Sequence, residues 1–167
     1  MKLFRTVALG LATPAALLSG TAFAQTSPAK STFNVNLTVV PKCFVNLDAS
    51  GPSDDATGNV TLSYDAFQVG PARDFTTFTV SCTKEHGYSI SVTSDTGTIA
   101  GIPYYLKVAA GATPQYVDAV GGGTLGSLKG DGAAQTYTIG VSAPGGEAGD
   151  CTGSCGGSQL HTIEVAY

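Results

Sequence analysis

Apolar and polar side chains alternate over residues 31–40: Phe33, Val35, Leu37 and Val39 are apolar, while Asn34, Asn36 and Thr38 between them are polar. Period-2 alternation predicts a strand with one buried face. At about 3.3 Å per residue it would span roughly 33 Å. Pro41 closes it, since proline cannot donate to a ladder. The same periodicity returns in short runs. Cys43 to Leu47 is one, and Val60 to Tyr64 follows a Gly-Pro-Ser-Asp-Asp loop. Phe75 to Cys82 sets Phe78, Val80 and Cys82 against Thr77, Thr79 and Ser81, and Tyr88 to Val92 sets Tyr88, Ile90 and Val92 against serines. Pro103 to Val108 and Gln135 to Val141 continue the series, with a Gly-rich connection over Gly111 to Asp131 that holds a short strand near Tyr116 to Val120. Leu160 to Tyr167 is the last strand, with Ile163, Val165 and Tyr167 on one face. Nowhere do apolar residues recur at helical spacing over three turns, so the pattern predicts an all-β, Greek-key β-sandwich.

Two features of this layout bear on function. The final strand carries Glu164 as its one charge, and its edge is expected to lie open with no later strand to cover it, an arrangement prone to edge-to-edge pairing. At the other end lies a strand set off by Pro41 and preceded by a polar leader. The domain is expected to lack one strand and to own a spare. Phe33, Val35, Leu37 and Val39 are the candidate donor strand; Leu160, Ile163, Val165 and Tyr167 mark the candidate acceptor edge. Strand addition of this kind draws affinity from main-chain hydrogen bonds and specificity from alternate side chains. A head-to-tail contact that does not close generates a fibre.

Composition narrows the class. Residues 1–24 have the zones of a signal peptide: Lys2 and Arg5, an apolar stretch from Val7 to Leu18, and Ala22-Phe23-Ala24 before Gln25. Residues 25–41 then form the flexible leader and donor strand, and 42–167 the sandwich domain. Without Lys2 and Arg5, 6 basic residues face 12 acidic ones, a net charge of −6. No basic patch exists to bind nucleic acid. Four cysteines in an exported chain read as two disulfides. Three pairings are possible; Cys43 with Cys82 and Cys151 with Cys155 is the favoured one.

No catalytic constellation is found. Cys151-Thr-Gly-Ser-Cys155 has three intervening residues and no predicted helix, unlike a redox pair, and His86 and His161 are too few to complete a zinc site with it. His161 lacks a nucleophile context, and Gly130-Asp-Gly132 lacks the repeated acids of a calcium loop. No enzyme activity, metal or cofactor is expected.

The run Phe33-Asn-Val-Asn-Leu-Thr-Val-Val-Pro-Lys-Cys43-Phe-Val resembles the N-terminus of chaperone–usher pilins, especially the archaic branch grouped with spore coat protein U domains. Phe78-Thr-Val-Ser-Cys82-Thr, Gly87-Tyr-Ser-Ile-Ser-Val, Pro103-Tyr-Tyr-Leu, Gly130-Asp-Gly and His161-Thr-Ile-Glu-Val-Ala-Tyr167 extend the resemblance over nearly all of the chain after residue 24. It implies an incomplete immunoglobulin-like sandwich in which Cys43 and Cys82 link the first two main strands. It also implies a periplasmic chaperone on the open edge, an outer-membrane usher, and identical or related pilin subunits as final partners. The implied setting is the periplasm and then a surface pilus or fimbria serving adhesion and biofilm. The Cys151–Cys155 loop is not part of that pattern, and Tyr167 ends the chain where better-known pilins place a tyrosine one residue earlier. The alternative is a self-complemented secreted coat or binding domain of the spore coat protein U type, with residues 31–40 folded back on their own sandwich.

Overall fold

The computed structural model describes residues 30–48, 51–52 and 58–167. The expected signal peptide and the first part of the leader lie outside the described residues. The chain divides into two units, Met1–Leu37 and Thr38–Tyr167. In the first, described from residue 30, the backbone joins no strand and Phe33, Val35 and Leu37 are 81–86% exposed. The predicted strand over 31–40 therefore has its alternation but no ladder and no buried face. Period 2 specifies which face would be buried; it does not supply a partner.

The second unit is all-β, and no helix occurs among the described residues. Its strands are β1 (Cys43–Val45), β2 (Leu47–Asp48), β3 (Gly51–Pro52), β4 (Ala72–Cys82), β5 (Gly87–Val92), β6 (Thr96–Ile99), β7 (Ile102–Ala110), β8 (Thr124–Lys129), β9 (Ala134–Ala143) and β10 (Ile163–Ala166). A larger antiparallel sheet runs β1-β4-β9-β7-β6, a smaller one β10-β5-β8, and β2 pairs with β3 as a short hairpin. The two main sheets make an immunoglobulin-like sandwich.

Alternation places the core. Along β4, Phe78, Val80 and Cys82 are buried while Thr77 is exposed; on β5, Tyr88 and Ile90 point inward. Tyr137 on β9 stacks obliquely on Phe78, ring centroids 5.6 Å apart. The Tyr88 hydroxyl meets the Tyr137 hydroxyl and donates to Gln135 Oε1 at 2.6 Å, so these polar tips stay bonded inside the core. Burial first, and then the Tyr137 hydrogen bond, push the Tyr88 phenol well above its ordinary pKa. The Cys43–Cys82 bridge joins β1 to β4 at paired positions of the ladder, and Cys151 is bridged to Cys155.

Three expectations need correction. Val60, Leu62 and Tyr64 are partly buried and Thr61 and Ser63 exposed, as alternation requires, yet the segment joins no ladder. Its Thr61 N–H donates instead to Asp74 Oδ2 at 3.1 Å, and Tyr64 Oη donates to the Pro144 carbonyl at 2.8 Å. Tyr116 to Val120 is not a strand but a cover over the outer face of the larger sheet. Arg73 lies over the Tyr116 ring at 5.2 Å and pairs with Asp118 at 3.4 Å. A Cβ on Gly140 would sit 2.1 Å from the Gln115 carbonyl oxygen, so only glycine there permits the approach. The predicted Leu160 to Tyr167 strand is shorter, with Leu160 ahead of it and Tyr167 beyond it.

Candidate functional site

The sandwich is open along one side. A groove of about 1170 Å³ runs over the inner face of the larger sheet, with Leu106, Ile139 and Val141 in its lining. Val60, Leu62 and Tyr64 from the unpaired extended segment border it, as do Val92, Leu160 and Ile163 near β10. Its length follows from the ladder register. Val45 lies opposite Val80, and Ala143 lies opposite Ala72, eight residues along β4. Both Val45 and Ala143 line the groove, so it extends about 27 Å along the strand direction.

Sequence explains how each side is held. β1 ends where Asn46 adopts φ 50°, a left-handed conformation that asparagine tolerates. Its N–H donates to the Thr79 carbonyl at 2.8 Å and its side-chain oxygen accepts from the Thr79 N–H at 3.0 Å. β6 and β7 are joined by Ala100 and Gly101, at φ 49° and 72°, a two-residue turn whose twist matches that of paired strands. At the mouth, the Tyr104 hydroxyl lies 2.7 Å from Gln159 Oε1 and 2.7 Å from His161 Nε2, and the other ring nitrogen of His161 is 3.0 Å from the Ser94 carbonyl oxygen. Burial raises the Tyr104 pKa above its usual range, so the neutral phenol is the form held here.

The residues singled out in the sequence fall as follows. Val39, like Phe33, Val35 and Leu37, is exposed and outside any strand, at 66%. Ile163 and Val165 face the core from β10, partly buried. Ile163 and Leu160 both line the groove; Val165 and Tyr167 do not. Leu160 is 91% exposed, and Tyr167 rests edge-on near His86 at 6.1 Å. Among the described residues β10 has one ladder neighbour, β5, so its other edge is free of strand pairing. Sequence reasoning missed the groove lining on β7 and β9, Leu106, Ile139 and Val141. Their alternation reads as ordinary core, and nothing local distinguishes a core position that faces another sheet from one that faces a gap.

The molecule is thus a β-sandwich with a strand-length groove along one side, carrying an exposed apolar period-2 segment in the same chain. Comparison with known families places it. The Spore Coat Protein U domain model matches residues 29–147, and the chain belongs to that family. Membership makes it a fimbrial-type subunit of a surface or secreted protein family, structural in kind. No curated protein and no solved structure matches the chain. The match stops short of the Cys151–Cys155 loop and of β10.

Proposed function

We propose that this chain is a pilus or fimbria subunit assembled by donor-strand exchange, in which Phe33 to Val39 of one copy occupies the groove of the next. The observation that carries the reading is the pairing of an exposed, unpaired apolar strand sequence with a strand-length apolar groove. The donor set covers six residue steps, about 20 Å, which the 27 Å groove accommodates. A strand lying there would meet the edge of β10 that β5 does not pair and the Val60 to Tyr64 segment, which joins no ladder. Burying the four donor side chains contributes roughly 6–12 kcal/mol before ordering costs.

Membership of the family supports the rest of the pathway. A periplasmic chaperone holds the groove of the exported subunit, an outer-membrane usher exchanges it for the next donor strand, and the fibre serves surface attachment and biofilm. The test is deletion of residues 25–40 in the native host. The full chain is expected to give heat- and SDS-resistant ladders, and the truncated chain a chaperone-bound monomer. Ladders from the truncated chain overturn the proposal. A full chain that is monomeric without a chaperone, and that unfolds on truncation, is instead the self-complemented secreted domain.

A further inference from the structure

Between β9 and β10 the chain runs from Pro144 to Thr162, contains six glycines and forms no strand, yet Gly149, Asp150, Cys151, Cys155, Gly157 and Leu160 border the groove. Glycine-rich chain has many conformations to lose, so a wall made of it is soft unless something fixes it. Two pins do so. At the first, the Asp150 N–H donates to the Ala100 carbonyl at 2.6 Å, where the β6–β7 turn carries its two left-handed residues. A Cβ on Gly101 would fall 3.1 Å from Asp150 Cβ and 3.2 Å from its nitrogen, so glycine at φ 72° is what lets the backbones meet. The Asp150 carboxylate then accepts from the Thr152 N–H at 2.9 Å and its hydroxyl at 2.8 Å, starting the ring. At the second pin, Gln159 and His161 hold the Tyr104 hydroxyl. Between the two pins the one covalent constraint is the Cys151–Cys155 bridge.

We infer that the Cys151–Cys155 ring, docked on the Ala100-Gly101 turn, holds this wall of the groove in strand-accepting position before a strand arrives. Uptake of Phe33 to Val39 from a second copy thereby depends on a disulfide outside the segment matched by the family model. The inference rests on the strand-exchange reading above. Its physical basis is preorganisation: a wall already ordered does not have to be ordered at the moment of binding. Cys151 and Cys155 are both exposed and belong to no core, so the bridge has little work to do in holding the body together.

The test is polymer growth from purified full-length subunit, followed by SDS-resistant ladders over time, with thermal unfolding of the subunit measured alongside. C151A/C155A is expected to slow growth about ten-fold, the equivalent of one or two newly mobile groups at the interface, with the unfolding midpoint unchanged. G101A, which displaces Asp150 while leaving the bridge intact, is expected to slow growth in the same direction. G153A, whose Cβ points into open space, is expected to grow at the wild-type rate. Wild-type growth by both C151A/C155A and G101A overturns the inference alone, as does slowing matched by a lowered unfolding midpoint. Failure of the wild-type chain to polymerise overturns the strand-exchange reading and this inference with it.

Discussion

The two halves of the sandwich are built from the same kinds of residue but are finished differently. In the closed half Val80 and Ile90 are fully buried, Phe78 stacks on Tyr137, and the Cys43–Cys82 bridge ties the edge strand to its neighbour. In the open half Leu106, Ile139 and Val141, themselves buried, floor a groove whose apolar border of Val60, Leu62, Ile102 and Ile163 is only partly buried. The composition of the two faces does not separate them. What separates them is the number of strands available to cover each, and apolar side chains left only partly covered mark a place where something else binds.

That contrast can be tested by matched truncations. Phe78→Ala in the closed half is expected to cost about 3–5 kcal/mol, because it leaves a cavity as well as losing transfer energy; denaturant unfolding measures it. Val80→Ala should cost about 2–3 kcal/mol for the same reason, whereas Val60→Ala, at a partly buried valine on the border of the groove, should cost only about 1 kcal/mol in the isolated subunit, since the space beside it is already open. Equal losses at Val80 and Val60 would show that the groove is closed in solution. Tyr88→Phe removes one member of the buried hydroxyl pair and is expected to cost about 1–2 kcal/mol.

The same variant has a pH signature. The raised Tyr88 pKa means the fold holds the neutral phenol. That contribution is complete below the ordinary tyrosine range near pH 10 and is lost as pH rises through and beyond it. Tyr88→Phe should therefore flatten the alkaline limb of a stability-versus-pH curve. Phe33→Ala has the smallest expected effect on the subunit, with unfolding unchanged within about 0.5 kcal/mol, because Phe33 is exposed there. A clear destabilisation by Phe33→Ala would show that the segment is seated on the body of its own chain.

Much of the sandwich was readable from alternation. β4, β5, β7 and β9 fall where Phe75 to Cys82, Tyr88 to Val92, Pro103 to Val108 and Gln135 to Val141 placed them, each one to three residues longer. β8 was missed for an identifiable reason. Leu125 and Leu128, three residues apart, both face the core because Ser127 takes φ 59° and the register against β5 shifts between Tyr88 and Ile90. A bulge of this kind breaks the period on which strand reading depends. β6 is four residues with Thr, Gly, Thr and Ile, too short to show a period at all. The preference for Cys43 with Cys82 and Cys151 with Cys155 among three pairings agrees with the bridges present.

For the groove, the division of labour between sequence and fold is plain. Sequence alone determined that the chain makes strands, which side chains face inward on most of them, and that residues 33–39 carry an apolar face of their own, because these depend on a two-residue period. Only the tertiary structure decided that Leu106, Ile139 and Val141 floor a groove, that the Val60 to Tyr64 stretch joins no ladder, and that the Cys151–Cys155 ring lands on the β6–β7 turn. Those outcomes depend on how many strands are present to cover a sheet and on approaches between residues about fifty apart, such as Gly101 and Asp150. No local pattern encodes either.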